Sequence, residues 1–388
     1  MFGLLASVLV VMAAYVYFLG TQALLEQAEN LSLRRMTVPQ LDDSGSFRFF
    51  YATNRRQADV NADVSDRFTS ERIPDLSFGS FDTRIEPTLG LGMLLNASDW
   101  FLNEEIQILD VQELQREAML DRIGAQVQAS PYKSLLIVVH GFREEFPSAL
   151  RKTAFLSHVL DINTPVLVFD WPGNQGSALR GYRRARSVAQ ESSEELARLL
   201  KAVVNQLAPE RLWLFANSMG GEVVVNAFHS LHDDPQFSDH ETEIENVILT
   251  APDVGHAEFN QRFREEITDL AANTTIYVSS NDRALLVSRL VNRSQRLGES
   301  NMNPDNPGQV MQTSQIAELL EPGDRKLTLV DVTPVNRTRN FHNFSLETPE
   351  FFNDLFLRLT RKDMPTSREL YFLETPEGVR YFVLTRGR

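Results

Sequence analysis

Six short apolar runs recur between residues 135 and 335, and they constrain the fold of this chain more than any other feature of its sequence. Each run is continuous rather than alternating, which is typical of parallel strands that are buried on both faces of a sheet. The segments between the runs have room for helices, and residues 187–207 have a helical pattern. The sequence therefore predicts an α/β domain with a mostly parallel central sheet and helices on both faces. The runs are residues 135–142, 165–173, 212–221, 246–254, 274–282 and 327–335.

Composition and charge remove several classes of function. The 388 residues include 38 Lys and Arg against 52 Asp and Glu, a formal net charge of −14. A surface with this balance does not attract a phosphate backbone, so nucleic acid is not an expected partner. The chain has no cysteine, which excludes thiol nucleophiles, cysteine-ligated zinc and iron–sulfur clusters. Covalent catalysis would need another nucleophile, and no cofactor is expected.

Residues 2–19 form an uninterrupted apolar stretch, and the first charged side chain is Glu26. A stretch of this length can span a bilayer. A signal peptide has basic residues before its apolar region, and this sequence has none there. We expect residues 1–25 to be a transmembrane anchor or an uncleaved signal, and residues 26–46 to be a linker. A signal cleaved near residues 21–23 is the second interpretation and a buried core helix the third. Because few basic residues flank the stretch, its orientation is poorly determined; we expect the following domain to be periplasmic or otherwise extracytoplasmic.

The carboxyl end contains two aromatic runs, within residues 369–385, around a turn signal formed by Pro376, Glu377 and Gly378. This pattern predicts a β-hairpin extension over residues 363–388, appended to a main domain over residues 47–362. At the start of the main domain, an aromatic β-like run is followed by a polar stretch at residues 57–77.

Ser218 lies in the third apolar run, directly after its predicted strand, and its surroundings predict a nucleophile. Residues 212–217 read as a strand and residues 222–228 read as a helix. A serine at such a turn exposes its oxygen, but the residues two before and two after it must be small. Ala216 and Gly220 hold those positions; the usual pattern has glycine at both, so Ala216 is a departure. The alternative interpretation is a serine that only caps the helix.

A nucleophilic serine needs a histidine as base and an acid that orients the histidine, and at a turn of this kind the chain order is serine, acid, histidine. Asp282 ends the fifth run, and His342 lies just after the sixth. We therefore predict Ser218, Asp282 and His342 as a catalytic triad. The alternatives for acid and base are Asp253 and His256, at the end of the fourth run and just after it.

Attack on a carbonyl creates an oxyanion, which two backbone N–H groups have to stabilise. One N–H comes from the residue after the nucleophile, Met219. The other comes from the loop after the first run, where Gly141 permits the turn that aims the next amide. We predict the amides of Met219 and Phe142 as the oxyanion hole.

Several motifs together resemble the α/β-hydrolase superfamily, and more narrowly a bacterial lipase- or esterase-like branch described as a domain of unknown function. The resemblance covers about residues 47–359 and implies an α/β-hydrolase fold with Ser218, Asp282 and His342 as its triad. It implies no known substrate. Members of this branch often have histidine where this chain has Asn217, a difference that leaves the triad intact. The motifs are FYATNRR, VVHGF, VFDWPGNQG, NSMGG, TAPDV, YVSSNDRAL, RLGES and FHNF.

Three weaker patterns have simpler interpretations. His229 and His232 could face a metal ion together, but we read them as the solvated end of a helix and predict no metal site. Gly90 and Gly92 begin like a dinucleotide fingerprint, but the third glycine is replaced, so no cofactor is assigned. A run of four arginines could meet lipid headgroups or an anionic substrate, although a solvated helix face is favoured. These are Arg180, Arg183, Arg184 and Arg186.

Together the patterns predict a membrane-anchored serine hydrolase that cleaves an ester or related acyl bond through an acyl-enzyme intermediate. Its expected substrate is a small molecule or a lipid with an acyl group. It is expected to contact a membrane through the amino-terminal helix, and the sequence indicates no particular protein partner. Two alternatives remain open. One is a non-catalytic, membrane-attached binding or scaffold module with the same fold, and the other is an acyltransferase that uses the same triad.

Overall fold

The computed structural model describes eleven parts of the chain: residues 46–59, 62–85, 106–160, 162–176, 178–235, 237, 244–299, 326–338, 342–360, 370–374 and 380–386. The predicted anchor at residues 1–25 lies outside these described residues, and so does the predicted linker except for Ser46. Among the helices that are described, none combines the length and the apolar character that crossing a bilayer requires.

Strands and helices alternate through most of the described chain. The strands are β1 Ser46–Gln57, β2 Phe68–Ile85, β3 Ile106–Leu114, β4 Ser134–Val139, β5 Val166–Asp170, β6 Arg211–Asn217, β7 Ile244–Thr250, β8 Ala271–Val278, β9 Leu327–Asp331, β10 Leu370–Glu374 and β11 Arg380–Leu384. The helices are α1 Arg116–Ala129, α2 Phe146–Leu160, α3 Ala178–Leu207, α4 Gly220–His232, α5 Arg264–Leu270, α6 Arg283–Asn292, α7 Phe344–Glu347 and α8 Pro349–Thr360, with a short turn at His256–Glu258 and a π-helical segment at Phe259–Phe263 before α5.

The described strands form one sheet in the order β10-β11-β9-β8-β7-β6-β4-β5-β1-β2-β3. The six predicted strands are β4 to β9, and each pairs with its neighbours in parallel. The prediction of a mostly parallel α/β sheet is confirmed. Since parallel strands end at the same edge, the loops that follow β4, β6, β8 and β9 converge there.

Two hydrophobic cores cover the two faces of the sheet, which explains why the strand sequences are continuously apolar. Side chains alternate along a strand, and in β4 Leu135, Ile137 and Val139 enter one core while Leu136 and Val138 enter the other. The first core is completed by α1, α3 and α4, and the second by α2 and α8. A run that must bury both faces has no position left for a polar residue.

At both ends of the sheet, the structure shows strand pairing that the sequence analysis did not predict. Much of the polar stretch at residues 57–77 belongs to β2, which pairs with β1 and β3 in antiparallel fashion. The carboxyl-terminal strands β10 and β11 do form an antiparallel pair. However, β11 also pairs in parallel with β9, so the predicted hairpin extends the central sheet rather than forming a separate appendage.

Candidate active site

Ser218 lies at a tight turn between β6 and α4. Its backbone has a conformation that residues other than glycine rarely adopt. Its φ angle is +54°, and this left-handed region is costly because Cβ crowds the backbone. A Cβ atom at Gly220 would lie 2.6 Å from the His140 carbonyl oxygen and 2.7 Å from that of Val139. Gly220 is therefore required for α4 to start this close to β4. Ala216, the other position predicted to need a small residue, is fully buried in β6.

Of the three residues predicted as a triad, His342 lies within hydrogen-bonding distance of the other two. His342 Nε2 is 2.9 Å from Ser218 Oγ, and His342 Nδ1 is 2.7 Å from Asp282 Oδ2. The other oxygen of Asp282 caps α6 by accepting the Leu285 N–H at 3.0 Å. Because the cap fixes the carboxylate, Oδ2 holds the Nδ1–H tautomer of His342 and leaves the Nε2 lone pair facing the serine.

The environment of His342 raises its pKa above the ordinary histidine value. Burial is the largest effect and opposes protonation, but the charge of Asp282, its hydrogen bond and the charge of Asp253 together outweigh burial. Asp282 is 3% exposed and Ser218 6% exposed, so little water screens these groups. A histidine with this bias accepts a proton from an adjacent hydroxyl more readily than a free imidazole does.

Two backbone amides have their orientation fixed by the carbonyl groups of their own peptide units. The Ser218 carbonyl accepts hydrogen bonds from the amides of Gly221 and Asp253, both at 3.0 Å, and the Gly141 carbonyl lies 3.0 Å from His140 Nδ1. In a trans peptide the N–H points away from the C=O. The amides of Met219 and Phe142 therefore point away from these bonds, and Gly141 lies against the serine, since an added Cβ would be 3.1 Å from Ser218 Cβ.

A buried polar network holds the loop that carries Phe142, and the sequence analysis did not find it. Asp170, at the end of β5, accepts hydrogen bonds from Thr53 at 2.6 Å and Arg55 at 2.7 Å, and it lies 3.0 Å from His140 Nε2. The indole N–H of Trp171 donates to the His140 carbonyl at 2.8 Å. Because Thr53 and Arg55 come from β1, three strands jointly fix the start of this loop.

Asp253, the alternative acid, is engaged elsewhere. One carboxylate oxygen accepts from Arg296 at 2.6 Å and from Ser288 at 2.5 Å, and the other accepts from the Tyr182 hydroxyl at 2.9 Å. Burial, followed by the charge of Asp253, raises the pKa of Tyr182 to about 12. The Tyr182 ring packs edge-on against Phe142, with ring centroids 5.7 Å apart. This cluster packs beside the loop that carries Phe142.

The alternative base, His256, is also held away from the serine. It starts the short turn after β7, and its backbone amide donates to the Gln295 carbonyl at 2.9 Å. The structure thus brings Asp282 and His342 to Ser218, and leaves Asp253 and His256 in the neighbouring loops.

Asn217, at the end of β6, connects three elements around Ser218. Its side-chain oxygen accepts from Thr250 at the end of β7, at 2.9 Å, and from Ser345 in α7, at 3.2 Å. Ser345 lies three residues after His342. Asn217 therefore helps to fix the segment that carries the histidine.

The candidate metal ligands at the end of α4 pair with acidic residues instead. His229 Nδ1 lies 2.6 Å from Glu266, and His232 Nε2 lies 3.2 Å from Asp269. In the parts of the chain that the structure describes, no cluster of three or more His, Asp or Glu side chains is arranged to hold a metal ion.

The sheet order, the sharp turn at Ser218 and the site at the carboxyl edge together define an α/β-hydrolase architecture. Residues 115–356 match the family model described as α/β hydrolase of unknown function, DUF900. This match spans well over half of the chain, and the protein belongs to that family.

Two solved structures are similar to parts of this chain. A serine hydrolase without a lid from Xanthomonas campestris is 14% identical, with 60% of this chain and 84% of the other covered and a TM-score of 0.35. Phospholipase PlaB from Legionella pneumophila is 12% identical, with 65% of this chain and 69% of the other covered and a TM-score of 0.29. No curated protein matches the sequence. At these identities and TM-scores, the likeness indicates nothing about the substrate.

Proposed function

We propose that this protein is a serine hydrolase that cleaves an ester or related acyl bond. The observation that carries the proposal is the pair of short contacts on the two nitrogens of His342, to Ser218 at 2.9 Å and to Asp282 at 2.7 Å. A surface serine that only caps a helix needs neither a base nor a buried acid behind the base. The strained backbone of Ser218 agrees with a functional position, because strain of this kind is retained where function requires it.

The reaction uses each of these groups in turn. Ser218 Oγ attacks the carbonyl carbon while His342 Nε2 takes its proton, and the carbonyl electron pair moves to the oxygen, which the Met219 and Phe142 amides stabilise. When the tetrahedral intermediate collapses, the bond to the leaving group breaks and His342 protonates that group. Water then attacks the acyl-enzyme with His342 as base, which releases the acid and restores Ser218.

The proposal is tested by labelling the purified full-length chain with a fluorophosphonate probe, which reacts only with activated serines. We expect labelling of the native chain, none of Ser218→Ala, and a labelling rate that is lower by about 10⁶-fold for His342→Ala. Ser187→Ala is the matched control, since Ser187 is an exposed helical serine, and it should label like the native chain.

Two outcomes would contradict the hydrolase proposal. One is a folded native chain that does not label, and the other is equal labelling without Ser218. Either would favour the non-catalytic binding module, with the same fold and an inert serine. If Ser218 does label, product analysis with water and with an alcohol acceptor separates a hydrolase from an acyltransferase.

The proposed localisation rests on the sequence alone. We propose that residues 1–25 anchor the chain in a membrane and that the hydrolase domain is extracytoplasmic. Protease protection of the full-length chain in intact cells, compared with lysed cells, tests both the attachment and the side.

A further inference from the structure

Exposed apolar side chains concentrate beside the candidate active site. In the described part of the chain, six large apolar side chains are exposed, and four of them lie on α3 and α6. Val287 and Leu290 of α6 are 60% and 71% exposed. Single exposed leucines are ordinary, but a group on two neighbouring helices indicates an interaction surface. The four residues are Leu179, Leu286, Val287 and Leu290.

The two helices are joined directly. The Tyr182 hydroxyl of α3 lies 2.8 Å from Ser288 Oγ and accepts from the Asn292 amide at 2.8 Å. Leu179 is one helical turn before Tyr182, so it lies on the side of α3 that meets α6. On α6, Leu285 and Ser288 point inwards and are buried, which leaves Leu286, Val287 and Leu290 on the outer side.

The same surface is basic, although the chain as a whole is acidic. Exposed arginines lie on the same two helices and directly after α6, among them Arg180, Arg183, Arg184, Arg289 and Arg293. Arg289 is 3.6 Å from Glu299. The chain carries a formal charge of −14, so a patch of this sign stands out from the rest of the surface. We call these five arginines and the four apolar residues the α3–α6 face.

We propose that the α3–α6 face docks onto the surface of a bilayer that contains anionic lipid. Exposed leucine and valine side chains on helices that also carry exposed arginines match a surface with phosphate headgroups above acyl chains. A nucleic acid offers the phosphates without an apolar layer for Val287 and Leu290. An acidic protein would need negative charges and an apolar surface together in one patch. An anionic bilayer has negatively charged headgroups above an apolar layer over its whole surface.

The position of the face relative to the site gives docking a consequence. Asp282 is the cap of α6, and Tyr182 of α3 packs against Phe142 of the oxyanion loop. A molecule that leaves the bilayer at this face is therefore close to Ser218. If the chain is the proposed hydrolase, the substrate would be an acyl lipid of that bilayer; this last step rests on the proposed function, whereas docking does not.

The absence of cysteine from the sequence allows a direct test. The full-length chain with Val287→Cys, labelled with a polarity-sensitive fluorophore, is reconstituted in vesicles of phosphatidylcholine alone or with phosphatidylglycerol. Leu109→Cys is the matched control: Leu109 is 44% exposed and lies in β3 at the far end of the sheet. Leu290→Cys provides a second position on α6 if the first substitution disturbs folding.

We expect the label at residue 287 to shift to a less polar emission only in vesicles with phosphatidylglycerol, and to be quenched by lipid-borne quenchers. The label at residue 109 should remain aqueous in both. Replacing Arg180, Arg183 and Arg184 by glutamine should lower the ratio of docked to undocked protein about fivefold for each arginine, because each basic side chain near an anionic surface contributes about 1 kcal/mol. Added salt should act in the same direction.

Three results would overturn the docking proposal. The first is an aqueous label at residue 287 in anionic vesicles to which the chain is bound. The second is an equal response at residues 109 and 287. The third is a label at residue 287 that is already apolar without lipid, which would mean that the chain itself or a second copy covers the face. The measurements are repeated with Ser218→Ala, which should dock normally while losing all probe labelling, so failure of the hydrolase proposal and failure of docking are distinguishable.

Discussion

Ser218 combines an unfavourable backbone conformation with the position that the proposed chemistry needs. A φ of +54° costs a residue other than glycine about 1–2 kcal/mol. Glycine at this position would remove this conformational cost. Part of the resulting gain in stability would be lost, because glycine has greater conformational freedom in the unfolded chain. We therefore expect Ser218→Gly to be more stable than Ser218→Ala by up to about 1 kcal/mol, with both inactive. Chemical denaturation of the two variants measures the difference.

Ser187 supplies the matched comparison for this prediction, because it lies in the middle of α3 with an exposed side chain. At a helical position alanine is more stable than glycine by about 1 kcal/mol, so the order of the two variants should be reversed. A Ser218→Gly variant that is less stable than Ser218→Ala would show that the turn is not strained.

The raised pKa of His342 predicts the pH dependence of the reaction. The histidine must be neutral to accept the proton of Ser218, so kcat/KM for an ester should rise with pH through the pKa of His342 in the free enzyme. Since Asp282 and Asp253 raise that pKa, half of the maximal kcat/KM should be reached above pH 6.5, about the ordinary histidine value. A pH profile of ester hydrolysis checks this.

Asp282→Asn provides the control for the pH profile. It removes the neighbouring charge, so the midpoint should fall, and it should lower kcat by about 10⁴-fold because the wrong tautomer of His342 is held. A native midpoint below pH 6.5, or one that Asp282→Asn leaves unchanged, would contradict the assigned role of the aspartate.

At the scale of elements, β1 and the end of β5 are joined by the buried ion pair between Arg55 and Asp170, whose side chains are 1% and 0% exposed. Asp170→Ala leaves the guanidinium group buried without its partner, which should lower the free energy of unfolding by about 3–5 kcal/mol. The neighbouring pair of Arg56 and Glu71 is 56% and 59% exposed. Glu71→Ala should therefore cost less than about 1 kcal/mol.

The Asp170 contribution should also depend on pH. Burial opposes ionisation most strongly, but the charge of Arg55 and the contact with His140 outweigh it and lower the pKa of Asp170. A carboxylate whose pKa is lowered on folding stabilises the native state above its unfolded pKa, about 3.9, and loses that effect as the pH falls through its folded pKa. The native chain and Asp170→Ala should differ fully at neutral pH and converge below about pH 4. A constant difference would contradict this account.

The elements differ in how clearly the sequence predicts them. Strands β4 to β9 were predictable because burial on both faces leaves continuous apolar runs. Strand β2 was not, because much of its length is partly exposed and its sequence mixes charged and apolar residues. The order of Ser218, Asp282 and His342 along the chain gave the candidate triad. The partners of Asp170 and Asp253 come from distant segments, and no local pattern in the sequence records such contacts.

At the scale of the whole molecule, the two carboxyl-terminal strands are part of the same sheet as the hydrolase strands, and we expect them to unfold together with it. The sequence predicted two strands and a turn, but it did not predict which strand of the sheet they would pair with. A parallel neighbour such as β9 is distant along the chain, so no local pattern identifies it. In the structure β11 lies beside β9, and Tyr381 and Val383 enter the core that β4 and α4 also line. A separate appendage would have its own small core instead.

The two tyrosines of the hairpin allow this integration to be tested. Tyr381 is 1% exposed in β11, and Tyr371 is 51% exposed in β10. Tyr381→Ala should lower the free energy of unfolding by about 3–5 kcal/mol, the usual cost of removing a buried aromatic ring, which is a large part of the stability of a typical domain. Tyr371→Ala, the same substitution on the partner strand, should change it by less than about 0.5 kcal/mol. Thermal unfolding followed by far-ultraviolet circular dichroism should show one transition that moves only in Tyr381→Ala. If Tyr381→Ala instead leaves the main transition in place, the hairpin folds independently of the sheet that carries the candidate active site.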